Sequence, residues 1–430
     1  MHALAADDSM LSFADRFERF EESQRAISSR PVQRSATVPR LVSFARVLLA
    51  VAPAFGACTK HPPGPSRAPD SSALVVATGH DGQAAGGARA SDSQGQGGGR
   101  ITTGIRWIGR VDASNPSAVK FAWSGTGLVA TVNGSKISVR LQIEGPTESA
   151  FFQPVIDGTA GLRFQVATGA AQTVTLAAGL TAGPHTVELY RDSEGMFGDS
   201  VFSGFVDGSV NGAPPATGRL IEIIGDSISA GYGNLGSEVH PPWDNTCSFS
   251  LDTESAYQAY GSILGRALNA EVSIIARSGW GVYRDGSSDT ANVLSSVYAN
   301  VLGVQDTPQW DFKRQADAVV INLGTNDSAQ GDPGQPYEKA YVALIRSVRG
   351  HYPNAWIFLT IGPMTADPVL TQMRTHLSHV VASVADPKVT TVDIAAQDAT
   401  ATGCDYHPNV AENNAMAGVL TSVMKSRLGW

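Results

Sequence analysis

Residues 221–234 read IEIIGDSISAGYGN. A mostly apolar run ends at Gly225, and Asp226-Ser227 then opens a string of small residues. A short apolar run stopped by glycine is the pattern of a buried strand. Gly, Asp and Ser are also ordinary turn residues, so the triplet alone leaves Ser227 either a nucleophile on a strand-to-helix turn or a common loop serine. A serine nucleophile needs a base for its proton and donors for the oxyanion it creates. Those partners have to be found elsewhere in the chain.

The surroundings of this stretch fix its class. After the Pro214-Pro215 break, LIEIIG, AEVSIIA, ADAVVINLG, AWIFLTIGP and VTTVDIA are short runs rich in Val and Ile. Between several of them lie longer segments with helical spacing, such as YQAYGSILGRALN and KAYVALIRSVRGHY. Strands alternating with helices predict an α/β domain over 216–430, a parallel sheet covered by helices on both faces. In such sheets chemistry sits at the carboxyl ends of the strands.

The preceding segment, 101–215, is different. FAWSGTGLVATVNGSKISVRLQIEG, PVIDGT, TVTLAAGLTAGPHTVELYRDSEG and VFSGFVDGSV alternate apolar and polar residues between turn signals. Asn133-Gly134 reads as a hairpin turn. With no helical period, this is an all-β sandwich domain of jelly-roll type.

The 430 residues suffice for two such cores. A net charge of -8 and the lack of a dense Lys/Arg cluster argue against a nucleic-acid partner. Arg40 and Arg46 precede VLLAVAPAFGAC, a short apolar run ending in small residues, so 1–57 reads as a leader with an export signal. FGAC resembles a bacterial lipobox, which would lipidate Cys58 and attach the protein to a membrane; Phe55 replaces the usual Leu, and ordinary cleavage is the alternative. The expected location is the cell envelope or outside the cell. Residues 58–100, ending SDSQGQGGG, are too poor in apolar residues to order themselves and read as a tether. Cys247 and Cys404 then remain as a pair, and an oxidising compartment favours a disulfide over two separate thiols.

Three further elements carry possible partners for Ser227. RSGWGVYRD, Arg277–Asp285, places two glycines around Trp280 at a strand end, where a backbone amide can approach a substrate oxygen. Gly324-Thr325-Asn326-Asp327 follows VVINL, and the Asn326 side chain offers an N–H donor. Cys404-Asp405-Tyr406-His407-Pro408-Asn409 supplies a histidine with a carboxylate two residues away. His80 lies in the tether, where no site can be held. His376 and His379, in HLSH, have helical spacing and no Cys or carboxylate near them in sequence, which fits a solvated helix face rather than a metal site.

GDS, the glycines of SGWG, GTND and the C-terminal D-x-H, in this order, resemble the SGNH (GDSL-type) hydrolase superfamily over Gly218–Trp430. The sandwich in front, with WSGTGL, PVIDG, HTVELYRDSEG and FSGFVDG, and the Cys-Asp-aromatic-His-Pro run resemble carbohydrate esterase family two over Ile101–Trp430. The resemblance implies Ser227 as nucleophile and oxyanion donor, the Gly281 amide as a second donor with Gly279 as its alternative, Asn326 as a third, and His407 as base. The superfamily's usual Asp-x-x-His is absent, since Cys404 stands three before His407. Asp405 is the expected acid; a backbone carbonyl orienting His407, as in some members, is the alternative.

The resemblance further implies removal of O-acetyl groups from xylan or glucomannan, with no metal or organic cofactor. Trp280 and Tyr406, and less so Trp243, are candidates for stacking on sugars. Arg284 and Asp285 either bind hydroxyls or pair with each other. Two other functions fit the same motifs: a lipase or thioesterase for longer acyl esters, and an inactive glycan-binding surface lipoprotein.

Overall fold

The computed structural model describes residues 101–430 apart from 103, 146–148, 237–246, 305–307 and 399–401. The leader, the tether, Cys58, His80 and Trp243 lie outside the described residues.

Among the described residues, ten strands make the first domain: β1 (Ile101–Thr102), β2 (Ile105–Ile108), β3 (Val119–Phe121), β4 (Gly127–Glu144), β5 (Ala150–Ile156), β6 (Thr159–Ala160), β7 (Phe164–Val166), β8 (Gln172–Ala178), β9 (Pro184–Arg191) and β10 (Asp199–Val210). All pairings between these strands are antiparallel. Side chains alternate across the pleat. In β9, Val187, Leu189 and Arg191 are buried while Thr186, Glu188 and Tyr190 are only partly covered. Val187 and Leu189 join Trp107, Phe121, Leu128, Val139, Leu141 and Phe152 in one core.

Asn133-Gly134 is not a hairpin turn. It lies inside the 18-residue strand β4, where pairing with β9 ends at Asn133 and pairing with β8 begins at Lys136. The partner strand β10 slips register opposite this point. The flexible dipeptide therefore serves as a bend where one long strand changes partners, a job that bulges and bends perform at sandwich corners.

The second domain follows the alternation read from the sequence. Its strands are β11 (Leu220–Gly225), β12 (Glu271–Ala276), β13 (Ala318–Asn322), β14 (Trp356–Thr360) and β15 (Val389–Thr391), all parallel, in the order β12-β11-β13-β14-β15. Its helices are α1 (Ser227–Ala230), α2 (Tyr260–Leu268), α3 (Leu294–Val297), α4 (Thr325–Ser328), α5 (Gly334–His351), α6 (Val369–Val384) and α7 (Val410–Leu428). Residues of α5 and α6, such as Tyr341, Ile345 and Leu377, cover one face of the sheet. Residues of α2 and α7, such as Leu264, Met416 and Leu420, cover the other. Burial on both faces is why β13 reads as a nearly continuous apolar run and β11 as one broken by Glu222.

The chain enters at β11, moves to one side for β12, and then crosses to the other side for β13. The strand order therefore reverses beside β11, and the crevice at such a switch point is where α/β sheets bind ligands. Ser227 opens the first turn after β11, so topology alone places it in that crevice.

One charge interrupts β11. Glu222 is fully buried, and its carboxylate accepts from Arg110 of the sandwich at 3.0 Å, from Tyr298 Oη at 2.7 Å and from Tyr352 Oη at 3.0 Å. Arg110 is equally buried. Arg110→Met should destabilise the protein by about 3–5 kcal/mol, because Glu222 is left buried without its cation. Arg110→Met with Glu222→Gln should recover most of that loss. The urea midpoint measures both, and an unchanged midpoint in the single variant would sink the assignment.

Candidate active site

Ser227 follows the end of β11 at Gly225, where the Ser229 side chain crowds out any larger residue. A Cβ on Gly225 would come within 2.0 Å of Ser229 Oγ. Asp226 caps α1, its Oδ1 accepting from the Ile228 amide at 3.0 Å. Burial lifts the Asp226 carboxyl to about 7, opposed by that amide bond.

His407 reaches the serine from the loop before α7. Its Nε2 lies 2.8 Å from Ser227 Oγ, and both residues are buried. The Asn409 side chain accepts from the Glu412 amide at 3.0 Å and caps α7, so the His-Pro-Asn run is a base followed at once by a helix start. Burial pulls the His407 imidazole down to about 4, with the nearby Asp405 charge raising it. At neutral pH the ring is uncharged. Its Nδ1–H then donates to a carbonyl while Nε2 accepts from Ser227, the state a general base requires.

The carbonyl is the backbone oxygen of Asp405, 3.0 Å from Nδ1. The expectation that the Asp405 carboxylate orients His407 is therefore corrected. That carboxylate instead accepts from Tyr232 Oη at 3.0 Å and from the Phe249 amide at 2.9 Å. The cause is local. Asp405 and Tyr406 have φ of 49° and 59°, and two successive left-handed residues turn the Asp405 carbonyl back toward the imidazole. The turn is clamped by a Cys247–Cys404 disulfide and by hydrogen bonds from the Asp405 amide to Cys247 O at 3.0 Å and from the Gly403 amide to His407 O at 2.7 Å. Tyr232 packs on the imidazole with ring centroids 4.3 Å apart.

The ends of the two strands that flank β11 supply the surroundings of Ser227. Asn326 is on α4 after β13, and its Nδ2 donates to Trp280 O at 3.1 Å and Asp226 Oδ2 at 3.4 Å. The first of these bonds decides against Gly281. In a trans peptide the N–H points opposite to the C=O. With the Trp280 carbonyl facing Asn326, the Gly281 amide faces away and cannot share an oxygen with the Asn326 side chain. Gly281 is also crowded, since a Cβ there would meet Asp327 Oδ2 at 2.3 Å. Gly279 has a φ of +80° and open space where a Cβ would stand.

Asp327 and Glu194 hold this loop from two sides, and neither had a role in the sequence reading. The Asp327 carboxylate accepts from the amides of Val282, Tyr283 and Arg284 at 3.0, 2.8 and 3.1 Å. Burial raises it to about 6. Glu194 belongs to the sandwich, just beyond β9, and its carboxylate accepts from the Ser278 amide at 2.8 Å and from Ser278 Oγ. Asp327 stood inside GTND and Glu194 inside HTVELYRDSEG, so the motifs contained both. Only the fold shows what they touch.

Trp280 is half-buried against the domain core, over the Arg277 guanidinium at 5.8 Å. Tyr406 is half-exposed, and its carbonyl accepts from Gln397 Nε2 at 2.6 Å. Arg284 and Asp285 do not pair with each other. Arg284 donates to Asp327 O and Gly331 O, and Asp285 accepts from Ser287, Asp289 and Asn292 within its own loop.

Residues 107–215 match the family described as carbohydrate esterase 2 N-terminal, and residues 223–413 match the GDSL-like lipase/acylhydrolase family. A solved family two carbohydrate esterase from Clostridium thermocellum is 35% identical, with a TM-score of 0.71, across 76% of this chain and 100% of that one. The chain belongs to carbohydrate esterase family two. This family two chain is also 36% identical to the cellulase/esterase CelE of Acetivibrio thermocellus over 76% of its own length, spanning 40% of that relative. It is 25% identical to an acetylxylan esterase / glucomannan deacetylase of Cellvibrio japonicus, over 76% of this chain and 89% of that protein.

Proposed function

We propose that this family two esterase removes O-acetyl groups from plant-type polysaccharides such as xylan and glucomannan through an acetyl-enzyme intermediate. The observation that carries the reading is the 2.8 Å contact between Ser227 Oγ and the uncharged His407 imidazole at the switch point of the sheet. Ser227 Oγ attacks the acetyl carbonyl while His407 Nε2 takes its proton. The tetrahedral oxyanion is held by the amides of Ser227 and Gly279 and by Asn326 Nδ2. His407 returns its proton to the departing sugar oxygen. The same nitrogen then takes a proton from water, whose oxygen attacks the acetyl-serine, and it passes that proton to Ser227 Oγ as the C–Oγ bond breaks and acetate leaves.

The test is acetate release from acetylated xylan, acetylated glucomannan and a mucin-type glycan. Release from the two plant polymers is expected. Faster turnover of an aryl octanoate than of an aryl acetate would replace this reading by one of longer acyl esters. Export to the cell envelope, with Cys58 as a lipid anchor, completes the proposal. A Cys247–Cys404 disulfide fits an oxidising compartment.

Asp405→Asn separates carbonyl from carboxylate orientation of the base. Losing a triad acid costs about 10⁴ in kcat, whereas here the orienting group is main chain and survives the substitution. The expected loss is less than about tenfold, because the charge being removed favours the imidazolium only through space. That charge raises the His407 pKa, so the acid limb of kcat/KM, expected near pH 4, should move to lower pH in the variant. A fall of several powers of ten would restore Asp405 as the acid.

A further inference from the structure

The helix face carrying His376 and His379 is not merely solvated, because carboxylates reach it from another part of the chain. Glu338 on α5 places one oxygen, Oε1, 2.7 Å from Nδ1 of His376 and 2.8 Å from Nδ1 of His379 on α6. The other ring nitrogen of His376, Nε2, lies 2.9 Å from Asp332 Oδ1, just before α5. One ligand atom from each of Glu338, His376 and His379 lies within 4.8 Å of the others. From this convergence we infer a binding site for a borderline divalent transition metal such as Zn²⁺, Co²⁺ or Ni²⁺, formed by Glu338, His376 and His379 and separate from the esterase centre.

Three features of the cluster support the assignment. Two imidazole nitrogens and one carboxylate oxygen form a ligand set that suits Zn²⁺ and its neighbours rather than Mg²⁺ or Ca²⁺, which prefer oxygen. In the ion-free cluster His376 donates Nδ1–H to Glu338 and Nε2–H to Asp332; a metal would take the place of the Nδ1 proton while the Asp332 carboxylate keeps the Nε2–H, the usual support for a metal-binding histidine. Once a metal has displaced the imidazole protons, Glu338 and Asp332 leave two negative charges, which a divalent cation neutralises. The His379 side chain is 60% exposed, so the site opens to solvent and an ion can enter directly. Opening the pairs by roughly half an ångström would admit the ion, since N and O ligands about 2.0–2.2 Å from a tetrahedral metal stand farther apart than hydrogen-bonded atoms. The ion would tie α5 to α6, whose packing covers one face of the sheet.

The experiment is a titration of the untagged full chain with Co²⁺, followed by d–d absorption, and with Zn²⁺ by calorimetry. One ion per chain is expected, with Mg²⁺ failing to compete. His379→Ala and His376→Ala should each weaken binding by more than about tenfold, and Asp332→Asn, which removes the supporting carboxylate, by about 10–100-fold. Affinity should fall as the pH is lowered, because metal must displace protons from the imidazoles. Absence of the Co²⁺ signal would overturn the site and leave a proton-held cluster. So would binding that survives both histidine substitutions, or equal binding of Mg²⁺.

Discussion

Ser227→Ala should lower kcat for acetate release from acetylated xylan by about 10⁴–10⁶, and His407→Ala by a similar factor. The argument is that the two side chains act as one unit. Ser227 Oγ is a poor nucleophile until His407, 2.8 Å away, takes its proton, and His407 has no task without an attacking oxygen. The double variant should therefore be no slower than either single one. What remains would be water attacking an acetyl group still polarised by Asn326 and the loop amides. Folding should be untouched, because Asp226 rather than Ser227 caps α1 and the Cβ of alanine fits where serine was. Near-normal hydrolysis of an aryl acetate by Ser227→Ala would end the assignment. A wild-type protein that binds glycan but turns nothing over would support the inactive lipoprotein reading instead.

Much of this site was legible before any fold was known, for a physical reason. Ser227, Asn326 and the Arg277–Asp285 segment each follow an apolar run, and a parallel sheet carries the residues after its strands to one edge. His407 was legible because it stands in a polar, turn-rich run with a carboxylate two residues away. The finer assignments failed where they depended on backbone direction. That Asp405 offers its carbonyl follows from two left-handed residues, and no residue type at 405 or 406 announces them. The Gly281 amide was excluded by the direction of one peptide plane. The pairing of His376 and His379 with Glu338 comes from helix α5, about forty residues away in sequence. Asn133-Gly134 has hairpin chemistry but joins two halves of one strand. Local propensity is overridden when the strands on either side continue to find partners.

Glu194→Ala should lower kcat for aryl acetate hydrolysis by about 10²-fold while KM moves little. The carboxylate comes from the sandwich domain and holds the Ser278 amide and hydroxyl, one residue before the proposed donor Gly279. Removing it leaves two buried donors unsatisfied, and the Arg277 guanidinium, 4.0 Å from the same carboxylate, loses its counter-charge. The loop is then free to shift, and a displacement of about 1 Å in a group that positions chemistry costs about 10²-fold. Because the lost interaction forms mainly with the oxyanion, the fall belongs in kcat rather than KM. Glu194→Gln keeps the shape and an acceptor for the Ser278 amide, and its NH₂ can donate to Ser278 Oγ, so it should recover most of the rate. Glu254 accepts from the Glu194 amide at 3.2 Å and is held well above its ordinary pKa by burial and by the Glu194 charge. Glutamine at 194 would therefore also relieve a strained acidic pair, and Glu194→Gln should not be less stable than the wild type. If Glu194→Ala melts normally and keeps its kcat, the sandwich domain does not set the oxyanion loop. If it loses rate only in proportion to lost fold, Glu194 is structural alone.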